Sequence, residues 1–195
     1  MSEDELSDRN FKSLTDFYFS ASSDIDKRDS YGKTALHCAV SAGQVNTVKY
    51  LLHNHANPNL KDHREEAPLH AAVRTGNIEV VESLTDFYFS ASSDIDKRDS
   101  YGKTALHCAV SAGQVNTVKY LLHNHANPNL KDHREEAPLH AAVRTGNIEV
   151  VEALLNHKTT NVNIEGRNKY TPLHSAAHLE HRCALEICQK LVSIT

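Results

Sequence analysis

The chain has 195 residues, of which 39% are hydrophobic and 24% are charged, as is typical of globular domains. Its formal net charge of −4 argues against binding to nucleic acid backbones, because that affinity needs clustered Lys and Arg. No apolar run reaches the roughly 18 to 20 residues that span a bilayer, and the acidic opening at 1–10 is unlike a signal peptide. We therefore expect an intracellular, cytoplasmic protein with no membrane insertion and no nucleic acid partner.

One segment of the chain occurs twice. Residues 13–82 recur without a single difference at 83–152, an offset of 70 residues. Copies of any age should differ at solvent-facing positions, where substitutions usually have little effect on stability. The identity indicates an engineered, or very recent, exact tandem duplication of a two-repeat segment. Removing one copy leaves a presumed parent of 125 residues.

The first part of the chain, 1–28, is expected to hold a leader and an incomplete repeat. The sequence SLTDFYF at 13–19 is identical to that at 83–89, where the pattern predicts that a helix continues in phase through Leu84. We expect 13–19 to be the second helix of that incomplete repeat.

The first complete unit covers 29–61. A turn at Asp29–Gly32 precedes a short helix of small and apolar residues, which Gly43 ends. A second helix follows, with apolar residues at helical spacing, and Pro58 cannot extend it. Two helices this short cannot bury an apolar face alone, so neighbouring units must stack. The apolar positions of the second helix are Val45, Val48, Leu51 and Leu52.

A second, shorter period runs through both copies. Segments of the type Thr/Ala-Ala/Pro-Leu-His begin at 34, 67, 104, 137 and 171, with spacings of 33, 37, 33 and 34 residues. This is the period of ankyrin repeats. The residues resemble the ankyrin-repeat family over about 26–192, and the resemblance implies an all-α solenoid of helix-turn-helix repeats with projecting hairpin-like loops. The expected units are 29–61, 62–98, 99–131, 132–165 and a divergent last unit at 166–195.

The sequence departs from the family pattern at several turns. Glu65 stands where the family has Gly, and Ala67 stands where it has a Thr that ties the turn to the helix. His55 occupies the usual Gly position after the second helix, where the backbone is commonly left-handed. The last unit lacks the first Asp and both glycines. We expect a looser second finger and a worn terminal repeat.

The seam between the copies, at Glu82–Ser83, makes the unit 62–98 a chimera. Its second helix continues in phase through Leu84, but polar Thr85 takes a core position that Leu155 fills in the regular unit. Phe87 or Tyr88 could compensate. The connection around 90–93 is about three residues longer than its counterpart. The duplicated copy could extend one continuous stack or loop out, and burial of apolar side chains, worth about 1.5 to 3 kcal/mol each, favours the stack.

Catalytic and metal sites are not indicated. The five His of the Thr/Ala-Ala/Pro-Leu-His segments are structural by family resemblance, and His53 and His55 lack a third and fourth ligand at usual spacing. No catalytic motif appears, and no cofactor is implied. Four cysteines form no CxxC pair and lie in otherwise apolar stretches, which favours small buried hydrophobic side chains in a reducing compartment over a disulfide framework: Cys38, Cys108, Cys183 and Cys188.

Recognition of another protein remains as the expected function. In the family, fingertips and the exposed face of the first helix line a concave groove, and Tyr and Arg are frequent interface hot spots. Two equal patches one duplication apart would permit bivalent binding, and self-association stays open. The resemblance assigns to the groove Ser30, Tyr31, Lys33, Ser41, His63, Arg64, Glu66, Arg74, Tyr101, Lys103, Arg134 and Arg144.

Two further expectations complete the sequence-based view. By resemblance, Asn163, Asn59 and Asn129 stand where intracellular ankyrin repeats are sometimes hydroxylated, and Asn163 fits best. The function is either that of a scaffold or adaptor module that binds proteins, or that of a structural test object in which the duplication probes folding and no partner is intended. Solenoid architecture alone does not name a partner.

Overall fold

In a computed structural model of the chain, residues 24–90, 94–178 and 184–193 are described, with side chains placed up to Phe87 in the first range. The expected leader and incomplete repeat, including 13–19, fall almost entirely outside these residues. Cys183 lies outside them too. Within the described ranges the regular secondary structure is helical, with no strand.

The helices of the described residues form five consecutive pairs. In the first four pairs a tight turn joins a short first helix to the second helix, as the sequence predicts. A single turn of 3-10 helix at Arg167–Lys169 precedes the last pair. The pairs are α1 (Ala35–Ser41) with α2 (Val45–His53), α3 (Pro68–Thr75) with α4 (Ile78–Ser90), α5 (Ala105–Ser111) with α6 (Val115–His123), α7 (Pro138–Thr145) with α8 (Ile148–Leu155), and α9 (Pro172–Ala177) with α10 (Ala184–Val192).

The pairs stack into one solenoid with two rows of helices. In the inner row α1, α3, α5, α7 and α9 pack in that order, and in the outer row α2, α4, α6, α8 and α10 do the same. Both copies of the duplicated segment therefore belong to a single stack, the arrangement that apolar burial favours. The all-α ankyrin-type solenoid is confirmed as the fold.

The core lies between the two rows and runs along the whole stack. In α2 the fully buried side chains are Val48, Leu51 and Leu52, on the face that the spacing predicts. The corresponding residues of α6 are buried in the same way, whereas in α8 Val151 and Leu154 are buried and Leu155 is half-buried. Each repeat contributes one layer to a continuous core, so its stability depends on its neighbours.

Left-handed turns connect the elements, and side chains occupy several of them. His55 and Glu65 have φ values of 66° and 59°, in positions where the family prefers Gly. The sequence predicted the left-handed backbone after α2, and the structure confirms it. A side chain in this conformation costs roughly 1 kcal/mol relative to Gly.

The seam lengthens one helix. The helix α4 has 13 residues, whereas the corresponding α8 has 8. The sequence placed the additional length in the connection after the helix, but part of it continues α4 to Ser90. Phe87, in the added turn, is half-buried against the core and meets the His53 ring edge-on, with ring centroids 6.2 Å apart. This confirms Phe87 as a compensating apolar contact, and the side chain of Tyr88 lies outside the described residues.

Candidate protein-binding surface

Among the described residues, five turns project from the stack, each directly before a helix of the inner row. We call each projecting segment that leads into an inner helix a finger, and the turn at its end a fingertip. The fingertips are 29–33, 62–66, 99–103, 132–136 and 166–170. In the first, the Asp29 side chain accepts hydrogen bonds from the backbone amides of Tyr31 and Lys33, both at 2.8 Å. In the second, buried Asp62 accepts from Arg64 and Glu66, at 2.8 and 3.1 Å. These carboxylates therefore close the turns.

Backbone hydrogen bonds join neighbouring fingertips into a row. The His63 amide donates to the Tyr31 carbonyl at 3.1 Å, and the Ser100 amide donates to the Arg64 carbonyl at 3.3 Å. In the second copy the His133 amide donates to the Tyr101 carbonyl at 2.9 Å. The first four fingertips thus form a fixed row and not independent loops.

Buried imidazoles tie the inner helices to the following finger. His37 accepts from the Thr34 amide through Nδ1 at 3.1 Å, and its Nε2 lies 3.2 Å from the Glu66 carbonyl of the next finger. The equivalent Nε2 contacts of His70, His107 and His140 are 3.0, 3.1 and 3.0 Å. The structural role assigned to these four His is confirmed. Burial lowers the pKa of His37, His107 and His140.

Ala67 changes this linkage in the second finger. Its amide still donates to His70 at 3.3 Å, but it has no hydroxyl to match the 2.9 Å contact of Thr34 with His37. The finger keeps its carboxylate-closed turn and its bond to the next repeat. One local hydrogen bond is therefore lost, while the connection between repeats remains.

The structure places the expected groove residues at the fingertips and on the inner helices. Tyr31 and Tyr101 are each 70% exposed, which is unusual for large aromatic side chains. Lys33, Lys103 and Glu66 are half-buried. The remaining expected residues are exposed: Ser30, Ser41, His63, Arg64, Arg74, Arg134 and Arg144.

Ion pairing divides the arginines into two kinds. Arg74 on α3 pairs with Glu66, and Arg144 on α7 pairs with Glu136. The fingertip arginines, Arg64 and Arg134, have no carboxylate within 4.0 Å among the described residues. The sequence pattern did not distinguish these two kinds, because the pairing partner lies eight residues away on a different element.

The asparagines proposed for hydroxylation differ in their surroundings. The Asn129 side chain donates to the Thr159 carbonyl at 2.7 Å and accepts from the Asn161 amide at 2.8 Å, so it bridges two repeats. Asn163 is exposed, and Asn59 is half-buried. Hydroxylation at these positions stays a prediction, and Asn163 offers the most accessible side chain of the three.

Metal binding, thiol chemistry and membrane spanning each place their own requirements on the described residues. In the parts of the chain that are described, no three His, Cys, Asp or Glu side chains group in a way that could hold a metal ion. The described cysteines are free thiols, and burial raises the pKa of Cys108 to about 11, so it remains protonated. None of the described helices combines the length and apolarity needed to cross a bilayer.

Stacked helix pairs with a row of joined fingers define the class of helical repeat proteins. The family model for "Ankyrin repeats (3 copies)" matches 54–132 and 122–195, and the model for a single "Ankyrin repeat" matches 31–63. The chain belongs to the ankyrin-repeat family. This family is generally a non-enzymatic protein-interaction fold, which supports a protein-binding role.

Three curated proteins illustrate the similarity. The chain is 43% identical over 122 residues to human "Transient receptor potential cation channel subfamily A member 1", covering 63% of this chain and 11% of that protein. It is 32% identical over 153 residues to the "Probable 26S proteasome regulatory subunit p28" of Saccharomyces cerevisiae, covering 77% and 66%. It is 34% identical over 138 residues to human "SH3 and multiple ankyrin repeat domains protein 2", covering 70% and 7%. The chain therefore spans only a small part of the two human proteins.

Proposed function

We propose that this chain is a scaffold or adaptor module that binds another protein through the concave groove formed by its fingertips and inner helices. The observation that carries the proposal is the exposure of Tyr31 and Tyr101, each 70%, on fingertips held in place by hydrogen bonds. Aromatic side chains on a fixed backbone lose little conformational freedom when they bind, so they are efficient interface anchors.

The proposed partner surface includes the expected groove residues of both copies. The paired Arg74 and Arg144 lie on the inner helices, while Arg64 and Arg134 extend from fingertips. The proposal also includes a cytoplasmic setting and an engineered or very recent origin for the duplication, for which the unbroken identity of 13–82 and 83–152 is the support.

The test compares two variants in capture experiments from cell extract. The groove variant carries Tyr31→Ala, Tyr101→Ala, Arg64→Gln and Arg134→Gln, all at exposed positions. The control variant carries Lys49→Gln and Lys119→Gln, at exposed positions on the outer helices α2 and α6. A protein retained by the parent chain and the control but lost by the groove variant, at equal helix content, supports the proposal.

A second candidate is favoured by the exact duplication itself, namely a structural test object with no intended partner. The 125-residue chain that lacks one copy separates the two. A partner retained by both chains supports the binding module. If neither chain retains a partner that the groove variant loses, the binding proposal is wrong and the structural alternative stands.

A further inference from the structure

Tyrosine and arginine alternate along the row of fingertips because the segment is duplicated. Exposed tyrosines lie on the first and third fingertips, at Tyr31 and Tyr101, and exposed arginines lie on the second and fourth, at Arg64 and Arg134. The hydrogen bonds from His63 to Tyr31 and from Ser100 to Arg64 make these fingertips consecutive neighbours. A molecule lying along the row therefore meets Tyr, Arg, Tyr and Arg in turn.

The spacing of equivalent groups follows from the packing. Neighbouring packed helices lie about 8 to 10 Å apart, and each fingertip directly precedes one helix of the inner row. Equivalent groups, one duplication and two repeats apart, are then about 16 to 20 Å from each other. An extended polypeptide rises about 3.3 Å per residue, so about five to six residues cover this distance.

Charge indicates the chemistry of the bound molecule. The fingertip aspartates are engaged in closing their own turns: Asp29, Asp62, Asp99 and Asp132 each accept hydrogen bonds from two backbone amides. Glu66 and Glu136 pair with the arginines of the inner helices. Arg64 and Arg134 are left with no ion pair among the described residues. A carboxylate from another molecule would supply each of them with an ion-pair partner.

We propose that the row of fingertips binds an extended protein segment in which a pair of one acidic and one apolar residue occurs twice, about five to six residues apart. Each acidic residue pairs with Arg64 or Arg134, and each apolar residue packs on Tyr31 or Tyr101. The two acidic-apolar pairs of the segment strengthen each other's binding, because the second pair binds within a complex that the first pair has already formed. The inference rests on the proposed protein-binding function and specifies its partner class.

Selection from random 16-residue peptides displayed on phage tests the inference with the full chain as bait. The expected result is enrichment of acidic-apolar pairs with a spacing that peaks at five or six residues. The same selection with an Arg64→Gln, Arg134→Gln bait should lose both the acidic enrichment and the spacing. No enrichment, or the same enrichment on both baits, would overturn the inference.

Affinity measurements on a selected peptide provide a second test of the inference. A peptide with one pair removed should bind at least tenfold more weakly in fluorescence anisotropy, and Arg64→Gln or Arg134→Gln should each lower the affinity of the two-pair peptide by a similar factor. Lys119→Gln, on the outer row, is the matched loss of charge and should change the affinity less than twofold. Equal affinity for one-pair and two-pair peptides would contradict the inference.

Two other outcomes are informative. A single-stranded (dT)16 oligonucleotide that binds more tightly than every selected peptide, and depends on the same arginines, would replace the protein segment by nucleic acid. A groove-dependent cellular partner whose binding segment lacks paired acidic residues would leave the proposed protein-binding function intact and refute only the doubled motif.

Discussion

Gly102 and Gly146 share a left-handed backbone, with φ values of 74° and 70°, but differ in their surroundings. A Cβ at Gly102 would come within 2.5 Å of the His133 ring and 2.8 Å of its amide nitrogen, whereas a Cβ at Gly146 would meet nothing within 4 Å. Gly146→Ala should therefore cost about 1 kcal/mol, from the backbone conformation alone. Gly102→Ala should cost about 1 to 3 kcal/mol more, because the finger must also shift. Urea unfolding of the two variants measures the difference, and equal losses would contradict the close packing of His133.

The buried imidazoles make stability depend on pH. Burial lowers the pKa of His37, His107 and His140 below the ordinary value near 6.5. As the pH falls below about 6.5, the unfolded chain takes up protons that the folded chain does not, so the free energy of unfolding decreases. The contribution of these imidazoles to the free energy of unfolding is at its full value above a pH of about 6.5. Urea midpoints at pH 7.5 and 5.5 should show a loss of stability, and the loss should be smaller in His107→Asn. A midpoint that does not change with pH would contradict burial of neutral imidazoles.

At the scale of elements, the seam places a polar residue inside the outer row. Thr85 of α4 is fully buried, and its hydroxyl lies 2.8 Å from the Val81 carbonyl and 3.1 Å from the Tyr120 hydroxyl of α6. Tyr120 also donates to Asp86 at 3.1 Å. The Thr85 hydroxyl is therefore satisfied, which explains how a polar side chain is fully buried at the position where α8 has the half-buried Leu155.

Replacing Thr85 tests whether that hydroxyl contributes to stability. In Thr85→Val the Val81 carbonyl keeps its helical hydrogen bond and Tyr120 keeps Asp86, so no buried group loses its last partner. One more methyl group is buried, and we expect about 0.5 to 1 kcal/mol of stabilisation. Thr85→Ser keeps the hydroxyl but removes a methyl group, and should cost about 1 kcal/mol. Thermal unfolding of the pair decides the matter, since the opposite order would show that the link to Tyr120 stabilises the seam.

The elements also show what the sequence could and could not predict. Local features followed from short patterns: the helix after Thr34, the left-handed His55 and the polar Thr85 in a core position. Contacts between repeats did not, because they depend on how the layers stack. The bond from Ser100 to Arg64, the pairing of Arg74 with Glu66 and the Thr85 contact with Tyr120 join different elements, up to 36 residues apart. The periodicity therefore gave the fold and the approximate groove, but not the division into paired and unpaired arginines.

At the scale of the molecule, the duplicated segment determines how the chain unfolds. Both copies lie in one stack, with α3 packed on α5 and α4 on α6 across the seam. In a repeat protein, each added layer contributes its own stability and one more interface with its neighbour. Deleting 13–82 or deleting 83–152 yields the same 125-residue sequence, which provides a matched reference without the second copy.

The full chain should unfold at a higher urea concentration than this 125-residue chain. Its denaturant slope should also be roughly one and a half times as large, because the slope scales with the surface exposed on unfolding and the chain lengths are 195 and 125 residues. Circular dichroism during urea titration measures both quantities. Equal midpoints and slopes would mean that one copy lies outside the stack. Two separate transitions would mean that the stack divides, and Thr85→Val should then bring them together if the division falls at the seam.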